Sequence, residues 1–251
     1  MPGKKNRNKD GYGALLLSAL KTGGQGIFEI AEREDGFIAA SQWPSRYFGG
    51  HSTWSKRERR AMQRVKGRVL DIGCGAGRYL LYLQEKGHET TGIDRSAGAV
   101  KVCKRRGVQR VLLRPIEEIG KFKPASFDTV IMMGNNFGLF AGFKKTKRLL
   151  RQLDRITSAE GQIIAEAVDP YATTQELHLV YQRQNRARGR MSGQLRIRIR
   201  HENIVGEWFD YLLVSRKEME EILEGTGWRV KEIIPDKGPG YTVVMVKTSK
   251  V

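Results

Sequence analysis

The sequence predicts an α/β fold, a doubly wound and mostly parallel sheet, with an N-terminal helical extension and a small antiparallel insertion. Three observations predict it. Between Gly67 and Val168 short apolar strand runs alternate with helix-length amphipathic runs, the pattern of a parallel sheet covered on both faces. A glycine-rich turn, Gly73-Cys74-Gly75-Ala76-Gly77, joins the first strand of that region to its first helix. Past Asp169-Pro170 the rhythm changes to two alternating strands. The expected division is an extension or cap over residues 1–66 and a main domain over residues 67–251, with the insertion at about 171–214.

Met1 to about Asp10 is polar and basic and is expected to lack fixed structure. Ala14 to Leu20 reads as a short apolar helix, and the Gly23-Gly24 break ends it. A strand-like stretch with Ile27, Phe28 and Ile30 follows, and Ser55 to Val65 forms a charged helix. In the regular region the expected strands are Arg68 to Ile72, Glu89 to Ile93, Arg110 to Leu113, Phe127 to Met133 and Gln162 to Val168. The helices between them are Arg78 to Lys86, with Leu80, Leu81 and Leu83 inward, then Ala97 to Arg106 and Lys144 to Thr157. Thr173 to Arg188 is helical, and Gln194 to His201 and Glu207 to Val214 are the inserted strands, placed beside the main sheet. Ser215 with Glu218 is a capping box opening a helix from Lys217 to Glu224. Trp228 to Ile234 and Tyr241 to Lys247 complete the sheet.

With 251 residues and 39% hydrophobic content, the chain can bury a sizeable core. The apolar run after Lys4, Lys5, Arg7 and Lys9 is too short to span a bilayer, and Lys21 and glycines follow it where a cleavage site would lie. Two cysteines, Cys74 and Cys103, form no CxxC pair, so neither a disulfide framework nor a structural zinc is expected. Reduced thiols and a cytoplasmic location without membrane attachment are the expectation. The net charge of +18 would concentrate polyanions or acidic small molecules, but charge alone does not name a partner.

The chemistry concentrates in Val69-Leu70-Asp71-Ile72-Gly73-Cys74-Gly75-Ala76-Gly77-Arg78. A glycine turn after a buried strand lets a ligand approach the backbone and is expected to aim free amides at it. The next strand ends at Asp94, placed to accept both hydroxyls of a ribose. The dinucleotide fingerprint needs a glycine where this chain has Arg78, which argues against a nicotinamide or flavin dinucleotide.

With Gly92-Ile93-Asp94-Arg95-Ser96 and Ser126-Phe127-Asp128-Thr129-Val130, this stretch resembles the class I S-adenosylmethionine-dependent methyltransferases. The likeness is strong over about Gly67 to Val168, weak in the C-terminal strands and absent before Lys66. It implies a seven-stranded sheet whose last strand runs antiparallel to the rest. It also implies that Asp71 and the turn of Gly73, Cys74, Gly75 and Gly77 hold the methionine end of S-adenosylmethionine. Asp94 would bind the ribose, and Arg95 would lie beside the adenine. Many relatives place an aspartate after the third strand to meet the adenine amino group. Here that slot falls near Pro115 and Ile116, so either Glu117 substitutes or packing holds the base. Gly134 and Asn135 occupy the place where cofactor and substrate meet.

The segment after the fourth strand, Met132 to Gly138, lacks the Asp/Asn-Pro-Pro-aromatic turn of amino-methylating nucleic-acid enzymes. Neither cysteine is placed as the nucleophile a pyrimidine C5 enzyme needs. Both omissions favour a small-molecule substrate. Arg196, Arg198 and Arg200 alternate with Leu195, Ile197 and Ile199, which offers either a solvated sheet face or an anion-binding one. Trp208, Phe209 and Tyr211 are read as core or as a pocket wall. If the acceptor needs a base, Asp169 and His178 are the candidates. The reading is a methyltransferase for a small molecule, anionic if the arginine face binds it. The alternatives are an RNA or ribosomal-protein methyltransferase and a non-catalytic cofactor-binding protein; no metal is expected.

Overall fold

The computed structural model describes residues 9–41 and 44–248, so the expectation for the basic start falls outside it at residues 1–8. Helix α1 (Gly11–Thr22) begins at Asp10, whose carboxylate accepts the Gly13 amide at 2.8 Å. Strands β1 (Glu29–Arg33) and β2 (Ile38–Ser41) follow, and then α2 (Lys56–Met62), opened by a Ser55/Glu58 capping box. The regular region supplies β3 (Val69–Ile72), α3 (Arg78–Glu85), β4 (Thr90–Asp94), α4 (Ala97–Arg105) and β5 (Val111–Leu113). It continues through β6 (Phe127–Met132), α5 (Phe143–Ile156) and β7 (Thr157–Val168). Then come α6 (Glu176–Ala187), β8 (Gln194–His201), β9 (Ile204–Val205) and β10 (Phe209–Leu212). Helix α7 (Arg216–Leu223) and strands β11 (Trp228–Pro235) and β12 (Gly240–Lys247) end the described chain.

The main sheet has seven strands in the order β11-β12-β7-β6-β3-β4-β5, with β12 antiparallel to both of its neighbours. Strand β3 lies between β4 and β6, so chain direction across the sheet reverses there and a crevice opens at the strand ends. All four residues of β3 are buried, as covering both faces demands. On α5 the buried Thr146, Leu149, Leu150, Leu153 and Ile156 recur at helical spacing. Trp228 locks this helix by donating its indole N–H to the Leu150 carbonyl at 3.0 Å. On α3 the inward residues are Tyr79, Leu80 and Leu83; Leu81 is only half-buried.

The N-terminal extension carries a strand at the expected strand-like stretch as well as a helix, and the antiparallel strands expected beside the main sheet do not extend it. Instead β1, β2, β8 and β10 form a second, antiparallel sheet in the order β10-β8-β1-β2. A strand as long as β8 has two edges of unpaired backbone. Strand β10 covers one, with Phe209 opposite Ile197, and β1 covers the other, with Ala31 opposite Ile199.

Helix α1 wedges between this sheet and α4. A side chain on Gly98 would come within 2.4 Å of the Gly13 Cα, and one on Gly11 within 2.2 Å of the Ile199 carbonyl oxygen. Glycine is therefore required at both crossings. Gly98→Leu is expected to unseat α1 at a cost of about 1–3 kcal/mol, the usual penalty of overpacking. Limited proteolysis should then cut within residues 9–22 much faster than in the parent; equal cutting rates would disprove the crossing. No described helix is long and apolar enough to cross a membrane.

Candidate active site

A cavity of about 930 Å³ lies between the strand ends of the main sheet and the inner face of the second sheet. Its floor is the glycine turn after β3, with Asp71 and Asp94. Its roof includes Glu29, Ala31, Ile197, Ile199 and Trp208. Among the sequence candidates, Asp71, Gly73, Cys74, Gly75, Asp94, Arg95, Ile116, Glu117, Gly134 and Asn135 all line it.

Asp94 is buried, and each carboxylate oxygen takes a backbone amide, Gly75 at 3.0 Å and Ser96 at 2.9 Å. Burial pushes its carboxyl up to about 6 against the pull of those two amides. Asp71 is less well satisfied, since its Oδ2 is buried without a hydrogen-bond partner. Burial first, and the neighbouring Asp94 charge second, raise it to about 8, with Arg78 opposing. An orphaned acceptor of this kind awaits a donor. Asn135 Oδ1 is orphaned in the same way.

The turn itself corrects one expectation. Its amides are not free: Gly73 and Cys74 donate to the Ile93 carbonyl at 2.9 and 3.2 Å, and Gly77 donates to the Cys74 carbonyl at 2.8 Å. The turn thus offers bare backbone to pack against rather than a set of donors. Gly77 lies outside the cavity lining, and a side chain there would meet Val108 at 2.6 Å and Cys103 at 3.0 Å. Its left-handed φ of 76° and lack of a side chain let α3 start against α4. Cys74 and Cys103 are buried free thiols with sulfurs 3.9 Å apart.

Beyond β5, the exposed Leu113 and the buried Ile116 form an apolar shelf on the cavity. Glu117 is held by Lys145 at 2.5 Å. After β6, Glu166 accepts the Gly134 amide at 2.5 Å and pairs with Arg57 at 3.1 Å, and this fixes the loop that carries Asn135. Where a Gly134 side chain would stand, nothing lies within 4 Å. These groups together suit a nucleoside-bearing, cationic ligand: a shelf for a base, acids for hydroxyls and an ammonium, and open space at Gly134.

The two base candidates are not brought to the cavity. His178 Nδ1 lies 3.0 Å from an Arg33 guanidinium nitrogen, and its ring meets Phe37 edge-on, so it ties α6 to β1. Burial first, and then Arg33, lower its pKa. Asp169 accepts the Tyr171 amide at 2.9 Å and shapes the turn after β7. Of the arginine face, Arg196 lines the cavity, whereas Arg198 and Arg200 do not. Arg198 and Arg200 both bond Glu32 on the neighbouring strand, and Arg196 pairs with Asp210. Strand alternation puts Ile197 and Ile199 on the cavity side instead. Trp208, Phe209 and Tyr211 do line the cavity.

Sequence reasoning missed Asp10, Tyr12, Glu29 and Tyr47, all in the lining. Asp10 left one signal, its place as the cap of α1. Its second oxygen accepts the Ser96 hydroxyl and the Gly98 amide, both at 2.9 Å, and so clamps α1 beside Asp94. Tyr47 donates to Glu29 at 2.9 Å and Tyr211 to the Asn135 carbonyl at 2.6 Å.

A seven-stranded, doubly wound sheet with one antiparallel strand and an acid-lined crevice at its switch point defines a nucleoside-cofactor-binding domain of the methyltransferase type. Residues 70–165, less than half of the chain, match the family model described as a methyltransferase domain. Across 97% of both chains it superposes on a methyltransferase from Bacteroides fragilis solved with S-adenosylhomocysteine, with a TM-score of 0.80 and 22% identity. It also resembles the 1,6-didemethyltoxoflavin-N1-methyltransferase of Burkholderia thailandensis, with a TM-score of 0.52, 17% identity, and 79% of this chain and 81% of that one covered. At these identities the structural likeness establishes the fold. Over 72 residues, 26% of this chain and 30% of the relative, it is 38% identical to a ubiquinone biosynthesis O-methyltransferase of Paracidovorax citrulli. Over 49 residues, 20% of this chain and 22% of the relative, it is 41% identical to a 2-heptyl-1-hydroxyquinolin-4(1H)-one methyltransferase of Mycobacteroides abscessus. The matched segments thus span less than a third of either curated relative.

Proposed function

We propose that this protein transfers a methyl group from S-adenosylmethionine to a small molecule held under the second sheet. The observation that carries this reading is one continuous cavity of about 930 Å³ joining the glycine turn to a roof from the N-terminal extension and the insertion. That volume lies near the top of the roughly 300–1,000 Å³ span of small-ligand sites, room for a cofactor with a second small molecule beside it. Asp71, with its unpartnered oxygen, would hold the cofactor's ammonium group, and Asp94 its ribose hydroxyls. Leu113 and Ile116 would pack the adenine. The backbone at Gly73, Cys74 and Gly75, and Gly134 with Asn135, would border the methionine end.

When bound, the cofactor supplies an electrophilic methyl on a sulfonium. The chain's own work is to orient the acceptor and exclude water, and the roof of Ala31, Ile197, Ile199 and Trp208 serves both ends. Two small-molecule methyltransferases among the relatives, with quinone-pathway and hydroxyquinolone names, support this substrate class. The arginine strand most suggestive of a nucleic-acid track is neutralised by Glu32 and Asp210, which weakens the RNA alternative.

The test is calorimetric titration with S-adenosylmethionine and S-adenosylhomocysteine, followed by an acceptor screen read as S-adenosylhomocysteine formation. Absence of binding of both ligands would overturn the reading. Binding also has a proton signature. At pH 7 Asp71, raised to about 8, is largely protonated in the free protein, and a cationic ammonium beside it favours the charged form. S-adenosylhomocysteine should therefore release up to about one proton at pH 7. The slope of binding enthalpy against buffer ionisation enthalpy measures this, and it should vanish in Asp71→Asn. Proton uptake in the parent would contradict the ammonium assignment.

A further inference from the structure

The roofed half of the cavity is unlike the protein's outer surface. Despite a net charge of +18, the interior presents the carboxyl groups of Glu29, Asp71 and Asp94. Arg78, the cation lining the same floor, is already engaged by Glu58, by the Tyr79 hydroxyl and by the Arg46 carbonyl. At the rim, Lys145 pairs with Glu117 and Arg196 with Asp210. Arg95 and Arg114 stand at the β4 and β5 ends, with Arg114 over the Phe122 ring.

The phenols are committed as well. Tyr47 donates to Glu29 Oε2 and Tyr211 to the Asn135 carbonyl. Glu29 Oε1 receives no hydrogen bond from the described residues. Alternation along β1 puts Glu29 and Ala31 on the same inner face, and β8 adds Ile197 and Ile199, so Glu29 is a lone charge on an apolar roof. Tyr12 lines the same cavity as both acids, and burial first, then Tyr47 and the charges of Asp94 and Glu29, raise its phenol.

We propose that this half of the cavity selects an apolar acceptor presenting a neutral or cationic hydrogen-bond donor to Glu29 Oε1, and rejects carboxylates and phosphates. The proposal rests on the methyltransferase reading for its reaction, but its selectivity is measurable by binding alone. A neutral hydroxyl or an amine gains a charge-assisted bond there, whereas an anion would be desolvated against a like charge. The anionic substrate suggested by the arginine alternation is thereby replaced, because each of those arginines, Arg196 at the cavity rim included, is paired with an acid.

Three probes with one apolar body separate the possibilities: 2-naphthol, 2-methoxynaphthalene and 2-naphthoate. Each is titrated calorimetrically into the full chain, with and without S-adenosylhomocysteine. The expected result is 2-naphthol binding roughly tenfold or more tighter than both others. In Glu29→Gln the gap should close to about threefold or less, with S-adenosylhomocysteine affinity unchanged within about twofold. A 2-naphthoate affinity equal to or above that of 2-naphthol overturns the proposal, as does an unchanged ranking in Glu29→Gln or no binding of any probe. Should Glu29→Gln fail to fold, the parent ranking decides. Loss of S-adenosylhomocysteine binding in the parent would instead strike the methyltransferase reading, which separates the two failures.

Discussion

Asp94→Ala is expected to weaken S-adenosylhomocysteine binding about ten- to a hundredfold, or about 1.5–3 kcal/mol, through loss of charge-assisted hydrogen bonds to the ribose. The size of the effect follows from the setting. Asp94 is buried, so an unmet ligand hydroxyl finds no water to replace the carboxylate. Its two oxygens are already aimed by the Gly75 and Ser96 amides, so a ligand does not have to order the side chain. The same burial puts its pKa at about 6, and only the ionised form accepts two hydroxyls at once. The parent's affinity should therefore fall as pH drops through about 6, and the variant's should lack that Asp94-dependent fall. Calorimetry at pH 5 and pH 8, with thermal melts confirming that the variant folds, checks both. Equal affinities for parent and variant at pH 8 would refute the ribose assignment.

Glu58→Ala should be the most damaging single change to stability, at about 3–4 kcal/mol. Glu58 caps α2, accepting the Ser55 amide at 2.8 Å, and its other oxygen takes the Tyr79 hydroxyl at 2.7 Å and the Arg78 guanidinium. Removing it leaves Arg78 nearly buried without its carboxylate and deletes the capping box. For a chain of this size the melting temperature should drop by about 6–16 °C. Burial alone would raise the Glu58 pKa, but Arg78, Tyr79 and Ser55 together outweigh it and hold the group at about 2. A depressed carboxylate contributes stability above its unfolded value and loses it as pH falls toward the folded value. The stability gap between parent and variant should thus be constant above about pH 5 and shrink between about pH 4 and 2. Urea melts across pH 3–7 measure it, and a gap as wide at pH 3 as at pH 7 would exclude the ion pair as its source. Because Arg78 also lines the cavity, the variant should bind S-adenosylhomocysteine more weakly too.

The main sheet was legible because its signals are local. Leucines at helical spacing, buried strands a few residues long and a glycine turn after β3 each declare themselves within about a dozen residues. Asp71 and Asp94 were legible for the same reason, since each lies at or next to the end of a strand whose end is a site by topology. The second sheet was not legible. Its pairing joins Glu32 to Arg198, 166 positions apart, and nothing near either residue names the other. Reading β8 alone gave the right alternation but left its arginine face open between solvent and an anion, because which side is solvent depends on what lies beneath it. His178 looked like a base for want of knowing that Arg33 and Phe37 enclose it. Tyr12 and Tyr47 are ordinary tyrosines until separate segments bring them around one cavity.

Local order along the chain therefore determined the α/β class, the switch-point crevice and the acids on its floor, since backbone geometry and side-chain period act over a few residues. Only the tertiary structure decided what covers that crevice, which charges are already matched and where a lone carboxylate remains for an acceptor. Those outcomes depend on contacts between distant segments, and the water excluded when such segments meet sets the worth of every charge beneath them.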